Sequence, residues 1–180
     1  RWYISTQLHR IRLWDRLSAD RVDFFIANSH NVAARIRKHY RREADVLYPP
    51  VDTEYFQPGN TGPGKYFLCA GRLVKYKRVD LAVRVCSRMR LPLLVAGDGS
   101  EYKHLQVIAG PSVKFLGRVS DSELRELYQQ CRAFIFPGEE DFGIMPLEAQ
   151  ACGRPVIAFG RGGTLETVRN GSTGLLFQDR

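Results

Sequence analysis

From Tyr66 onward the sequence repeats one pattern: a short run of apolar residues, a stretch with apolar residues at helical spacing, then another apolar run. The runs are Tyr66 to Ala70, Leu93 to Ala96, Val113 to Leu116, Ala133 to Phe136 and Pro155 to Ala158, with a last one near Leu175. Between them, Val79, Ala82, Val83, Cys86 and Met89 make one stripe and Leu124, Leu127, Tyr128 and Cys131 another, each fit to bury one helix face. Helices are therefore predicted over about 79–88, 101–109, 122–131, 146–152 and 164–169. Runs apolar throughout, such as Leu93-Leu94-Val95-Ala96 and Ala133-Phe134-Ile135-Phe136, fit strands covered on both faces, which in practice means parallel strands.

This order predicts an α/β fold, a Rossmann-like parallel sheet with helices on both faces. Upstream, a helix is expected around 6–18 and a short buried strand over Asp23-Phe24-Phe25-Ile26-Ala27-Asn28. Ser29 is placed to cap a helix running through Tyr40, with Val32, Ile36 and Tyr40 on its apolar face, and a strand near Val46-Leu47-Tyr48 ends at Pro49-Pro50. Between Pro50 and Lys65 the chain holds Pro58, Gly59, Asn60, Gly62, Pro63 and Gly64, which break helix and strand alike and mark a boundary between 1–50 and 51–180.

Charge and cysteine usage exclude several classes. Residues 1–42 hold 10 Lys or Arg against 3 Asp or Glu, whereas the remaining 138 of the 180 residues are nearly balanced. Such a one-ended surplus suits an anionic surface such as acidic lipid, or a solvated face adjoining a neighbouring domain. No recognition-helix, aromatic-basic or zinc-finger signature accompanies it, so no nucleic acid partner is expected. Cys69, Cys86, Cys131 and Cys152 lie in predicted strands or helices without Cys-x-x-Cys or Cys/His spacing; they read as reduced core thiols, and no metal site is expected. No apolar run nears the ~20 residues of a membrane span, and the first residues carry no export signal.

In a parallel sheet ligands gather where strands end, so the loops after the strands carry the chemistry. Gly71-Arg72-Leu73-Val74-Lys75-Tyr76-Lys77-Arg78 puts four cations before a helix, a setting for an anion or a solvated basic turn. Gly97-Asp98-Gly99 resembles a dinucleotide-binding glycine turn without its third glycine, and equally serves a tight bend; no Gly-Lys-Ser/Thr P-loop sequence occurs. After the third strand, Ser120 and Glu123 fit a capping box, while Val119 and Asp121 are placed to face a base. The fourth strand runs into Pro137-Gly138-Glu139-Glu140-Asp141-Phe142-Gly143-Ile144-Met145-Pro146-Leu147-Glu148, where carboxylates adjoin a helix start; they can complement the helix dipole or accept hydrogen bonds from sugar hydroxyls. The fifth ends in the flexible Gly160-Arg161-Gly162-Gly163.

Together, Gly71-Arg72-Leu73 with Lys77, Gly97-Asp98-Gly99, Glu140 and Glu148 with seven residues between them, and Gly153-Arg154-Pro155-Val156-Ile157-Ala158 resemble, in order and spacing, the family 4 retaining glycosyltransferases of the GT-B fold. Ile26-Ala27-Asn28-Ser29 and Tyr48-Pro49-Pro50-Val51-Asp52 are similar to its mannosyltransferase-like branches. The resemblance implies transfer of a hexose from a nucleoside diphosphate sugar with retention of configuration, without cofactor or metal. Arg72 and Lys77 would then hold the diphosphate and Glu140 the donor sugar, these three being the catalytic set. Glu148 would accept from the ribose, and Phe142, Gly143 and Ile144 would border sugar or phosphate. Gly71, Gly97 and Gly99 would let the backbone approach the donor, and Val119 and Asp121 would border the base, Asp121 favouring GDP-mannose. Asp141 follows Glu140 where many members have glycine, a departure beside the sugar. The resemblance further implies that 1–50 is the tail of an acceptor-binding domain and linker, and 51–180 a donor-binding domain short of its closing helices. A glycan or lipid-linked acceptor would bind through the other domain, in a cytoplasmic protein or one peripheral to the inner face of a membrane, and the chain alone would not transfer. A catalytically inactive nucleotide-sugar binder and a UDP-glucose-type transferase are the alternative readings.

Overall fold

The computed structural model describes residues 2–60, 62 and 64–178. The chain divides into two units, Arg1–Pro49 and Pro50–Arg180.

In the first unit, helix α1 (Trp2–Ala19) is followed by strand β1 (Ile26–Ala27), helix α2 (His30–Tyr40) and strand β2 (Asp45–Val46), and the two strands pair in parallel. Ser29 caps α2 as expected: its Oγ accepts from the Val32 N–H at 3.1 Å, satisfying one of the donors a helix start leaves free. Ile36 is buried beneath α2, and Phe25 stacks on Tyr40. The strand predicted over 23–28 shrinks to two residues. Among the described residues only β2 pairs with it, and Phe24 and Ile26 stand exposed.

The second unit is built from β3 (Phe67–Ala70), a 3-10 turn (Lys75–Lys77), α3 (Val79–Met89), β4 (Leu93–Ala96), α4 (Tyr102–Ile108), β5 (Val113–Gly117), α5 (Asp121–Gln130), β6 (Ala133–Phe136), α6 (Ile144–Ala151), β7 (Val156–Phe159), α7 (Thr164–Thr167) and β8 (Gly174–Phe177). The six strands are parallel throughout, in the order β5-β4-β3-β6-β7-β8. The chain therefore enters at the middle, works outward to β5, and returns beside β3 to build the other half.

The apolar strands fill two cores because side chains alternate across the sheet. Cys69, Leu93 and Val95 meet Val79, Val83 and Cys86 of α3 and Leu105 of α4 on one face. Leu68, Ala70, Phe134 and Phe136 meet Tyr128 of α5 and Ala149 of α6 on the other. Tyr128 is fully buried, with Phe134 and Phe56 edge-on at 5.3 and 6.1 Å. All four cysteines are free and buried. Helix α6 starts at Ile144 rather than at the predicted Pro146; a proline within the first turn costs no hydrogen bond, since those N–H groups have no intrahelical partner.

Candidate active site

The order in which the chain adds strands reverses between β3 and β6, which sends the loops that follow these two strands to opposite sides and opens a crevice at that end of the sheet. It holds a cleft of about 540 Å³ lined by Gly71, Arg72, Gly97, Asp98, Gly99, Arg118, Val119 and Met145, among others. Local sequence explains the shape. Leu73 is fully buried and pins the loop after β3, its N–H donating to the Asp98 carbonyl at 2.9 Å while its own carbonyl accepts from the Glu101 N–H at 3.0 Å. Arg72, next to that anchor, stays exposed at the cleft wall. The loops after β3 and β4 touch backbone to backbone: a Cβ on Gly97 would stand 1.9 Å from the Gly71 carbonyl oxygen, so only glycine allows the contact.

Beside the cleft, Lys77 Nζ and Glu140 Oε1 form an ion pair at 2.7 Å, their side chains only 18% and 22% exposed. The pair adjoins the cleft, since Nζ lies 4.0 Å from where a Gly71 Cβ would be. The Tyr76 and Phe136 rings lie 5.9 and 6.0 Å from the ammonium. Gly138 packs against the Lys77 backbone, and the Glu140 carbonyl accepts from the Gly163 N–H at 2.8 Å, so both residues sit on fixed main chain.

Further along, Glu148 Oε2 accepts from the Tyr128 hydroxyl at 3.1 Å. Burial pushes the Glu148 carboxyl above its ordinary range; the Tyr128 hydrogen bond opposes this and the charge of Asp121 adds to it. The same burial, with the Glu148 charge, raises the Tyr128 phenol well above its usual value. Ser120 and Glu123 make the expected capping box at the start of α5. Among the described residues no three His, Cys, Asp or Glu side chains converge as metal ligands, and no helix is long and apolar enough to cross a membrane.

Residues 51–180 match the family model described as glycosyl transferases group 1. The chain belongs to that family. A D-inositol 3-phosphate glycosyltransferase of Stackebrandtia nassauensis is 31% identical over 189 residues, covering 87% of this chain and 43% of the relative. A GDP-mannose-dependent alpha-mannosyltransferase of Corynebacterium glutamicum is 33% identical over 138 residues, covering 70% of this chain and 33% of the relative. This group 1 glycosyltransferase chain thus spans less than half the length of these curated relatives. Its fold is similar to that of HepE from Anabaena, solved with UDP and glucose (TM-score 0.83, 22% identity, 93% of this chain and 53% of that one). It is likewise similar to sucrose-phosphate synthase from Thermosynechococcus elongatus (TM-score 0.80, 22% identity, 93% and 48%). The α/β fold is that of half of a GT-B glycosyltransferase.

Of the residues singled out in the sequence of this group 1 glycosyltransferase, Gly71, Arg72, Gly97, Gly99 and Val119 share the cleft wall, and Lys77 and Glu140 pair beside it. Asp121, Phe142, Gly143, Ile144 and Glu148 do not line that wall. Phe142 is buried, and Gly143 adopts a left-handed conformation as the N-cap of α6, so this segment adjoins the cleft through Met145. The charge of Asp121 reaches the Glu148 carboxyl. Arg118 and the Tyr128 hydroxyl were not anticipated. For Arg118 a signal existed: Gly117-Arg118 at the end of β5 repeats Gly71-Arg72 after β3, and the two arginines line one cleft.

Proposed function

We propose that residues 51–180 bind a nucleoside diphosphate sugar, and that the protein they belong to is a retaining glycosyltransferase moving a hexose from it to a glycan or lipid-linked acceptor. The observation that carries this reading is the convergence of Arg72 and Arg118 with the Gly71, Gly97 and Gly99 backbone in one cleft, beside the Lys77–Glu140 pair. A diphosphate needs cations in forked geometry and backbone that can approach closely, and this cleft offers both. Arg72 and Lys77 stabilise the charge that develops on the leaving diphosphate. Glu140 accepts from hydroxyls of the sugar. Glu148, with Oε2 on the Tyr128 hydroxyl, has its second oxygen for the ribose. Asp121 suits the donor groups of guanine, and the similarity to a GDP-mannose-dependent enzyme points the same way, so GDP-mannose is the favoured donor. A UDP-glucose-type donor is the second reading, because HepE was solved with UDP-glucose. Residues 1–50 are read as the end of the acceptor-binding half, their basic surplus facing acidic lipid at the inner face of a membrane.

Calorimetric titration of GDP, UDP, GDP-mannose and UDP-glucose into the chain tests this. One base is expected to bind, and an Arg72→Ala, Lys77→Ala double variant to weaken it by about 100-fold, the scale of removing charged partners from a phosphate. A folded chain that binds neither nucleotide series refutes the reading.

A further inference from the structure

The ion pair between Lys77 and Glu140 sets two proposed donor contacts against each other. Lys77 is the cation a diphosphate needs, yet its ammonium already sits on a carboxylate at 2.7 Å in a shielded position. Glu140 Oε1 is closed off from solvent and no described partner besides the Lys77 ammonium serves it, so the Lys77 charge is what compensates it. The main chain of Glu140 stays in place if Lys77 swings toward a phosphate. Its carbonyl is bonded to the Gly163 N–H, and a Cβ on Gly162 would meet that carbonyl at 2.4 Å, so the two loops are in close backbone contact. A ligand that draws Lys77 away therefore strands a shielded carboxylate, which is costly unless another donor replaces the ammonium.

We infer that Glu140 is a specificity-determining residue that selects the sugar-bearing donor over the bare nucleoside diphosphate by holding Lys77 until hydroxyl groups arrive to replace it. A nucleoside diphosphate takes Lys77 and leaves Glu140 uncompensated. The corresponding sugar donor takes Lys77 and supplies hydroxyls to Glu140 in the same step. The pair thus weakens retention of the nucleotide left after transfer while sparing the donor. This rests on the donor-site reading above.

The test is the ratio of dissociation constants for GDP against GDP-mannose, and for UDP against UDP-glucose, in the wild-type chain and in Glu140→Gln, which keeps the shape and removes the charge. The variant is expected to bind the bare diphosphate about tenfold tighter or more, a gain on the scale of coupling between close charges. The sugar donor changes less, so the ratio falls by about the same factor. Adding Lys77→Met should abolish the gain. If Glu140→Gln weakens only the sugar donor and leaves the diphosphate unchanged, Glu140 is a plain sugar ligand and the inference is overturned; equal weakening of both ligands overturns it as a structural effect. Wild-type protein that binds none of the four ligands overturns the donor-site reading itself. Should thermal melting show Glu140→Gln to be unfolded, Glu140→Asp, which draws the carboxylate back by one methylene, must move the ratio in the same direction.

Discussion

Replacing Gly97 by alanine is the most direct test of how the cleft is built. The new Cβ would stand 1.9 Å from the Gly71 carbonyl oxygen and 2.9 Å from its carbon, whereas unbonded carbon and oxygen approach to about 3.3 Å. Both atoms belong to the backbone, so no side-chain rotation relieves the clash. The ends of β3 and β4 must move apart by more than an ångström. That movement strains the bonds from Gly71 N–H to the Ala96 carbonyl, 3.0 Å, and from Gly97 N–H to the Gly117 carbonyl, 2.6 Å. Losing two such bonds costs about 2 kcal/mol, and holding alanine at a φ of +128° adds about 1–3 kcal/mol. The sum of about 3–5 kcal/mol corresponds to a fall in Tm of roughly 6–20 °C for a chain of this size. Gly171→Ala is the control: its φ is also positive, +78°, but nothing lies within 4 Å of an added Cβ, so only the conformational cost of about 1–2 kcal/mol applies. Thermal unfolding followed by circular dichroism reads both. Equal shifts in the two variants, or a Gly97→Ala midpoint within about 2 °C of wild type, would refute the close-approach account.

Glu148→Gln should raise Tm at neutral pH by roughly 1–3 °C, a figure discounted for partial solvent exposure, while weakening nucleotide binding. The sign follows from the raised carboxyl: stability fully present below the ordinary value of 4.5 is lost as pH rises through the folded value, so melting across pH should show the advantage of Gln disappearing in acid. Ser120→Ala removes the Oγ that accepts from the Glu123 N–H at 3.3 Å and should lower Tm by about 2–4 °C. The Ser120 N–H and hydroxyl both hold Glu123 below its ordinary range, a stabilisation present at neutral pH and lost as pH falls through the lowered value; the deficit of the variant should therefore shrink in acid, and a constant deficit would contradict the capping account.

The elements of residues 66–178 could be read in the sequence because each is encoded by its own neighbours. Leu93 to Ala96 and Ala133 to Phe136 form strands over those same residues, and Val79, Ala82, Val83 and Cys86 turn one face of α3 inward. Ser29 and Ser120 cap helices as their spacing implied, for a cap needs only the next three residues. The likeness of the glycine-arginine and paired-glutamate segments to group 1 glycosyltransferases was legible for the same reason: each motif is contiguous or nearly so. Where neighbours do not decide, the reading fell short. The segment 23–28 has strand composition, but strand length depends on what pairs with it, and only Ile26 and Ala27 find a partner.

The candidate site divides along the same line. Residue types and their loops came from sequence, but which loops meet came from the strand order. Placing β6 beside β3 brings Glu140 onto Lys77, and placing β5 beside β4 brings Arg118 and Val119 to the cleft that holds Arg72. The Tyr128 hydroxyl reaches Glu148 because α5 and α6 share one face of the sheet, a relation no local spacing states. A sequence records the period of each element, and period fixes which face is apolar. It holds no local signal for which element lies opposite, because that is chosen by the joint packing of the two cores, and the charge pairs and shared cleft walls are consequences of that choice.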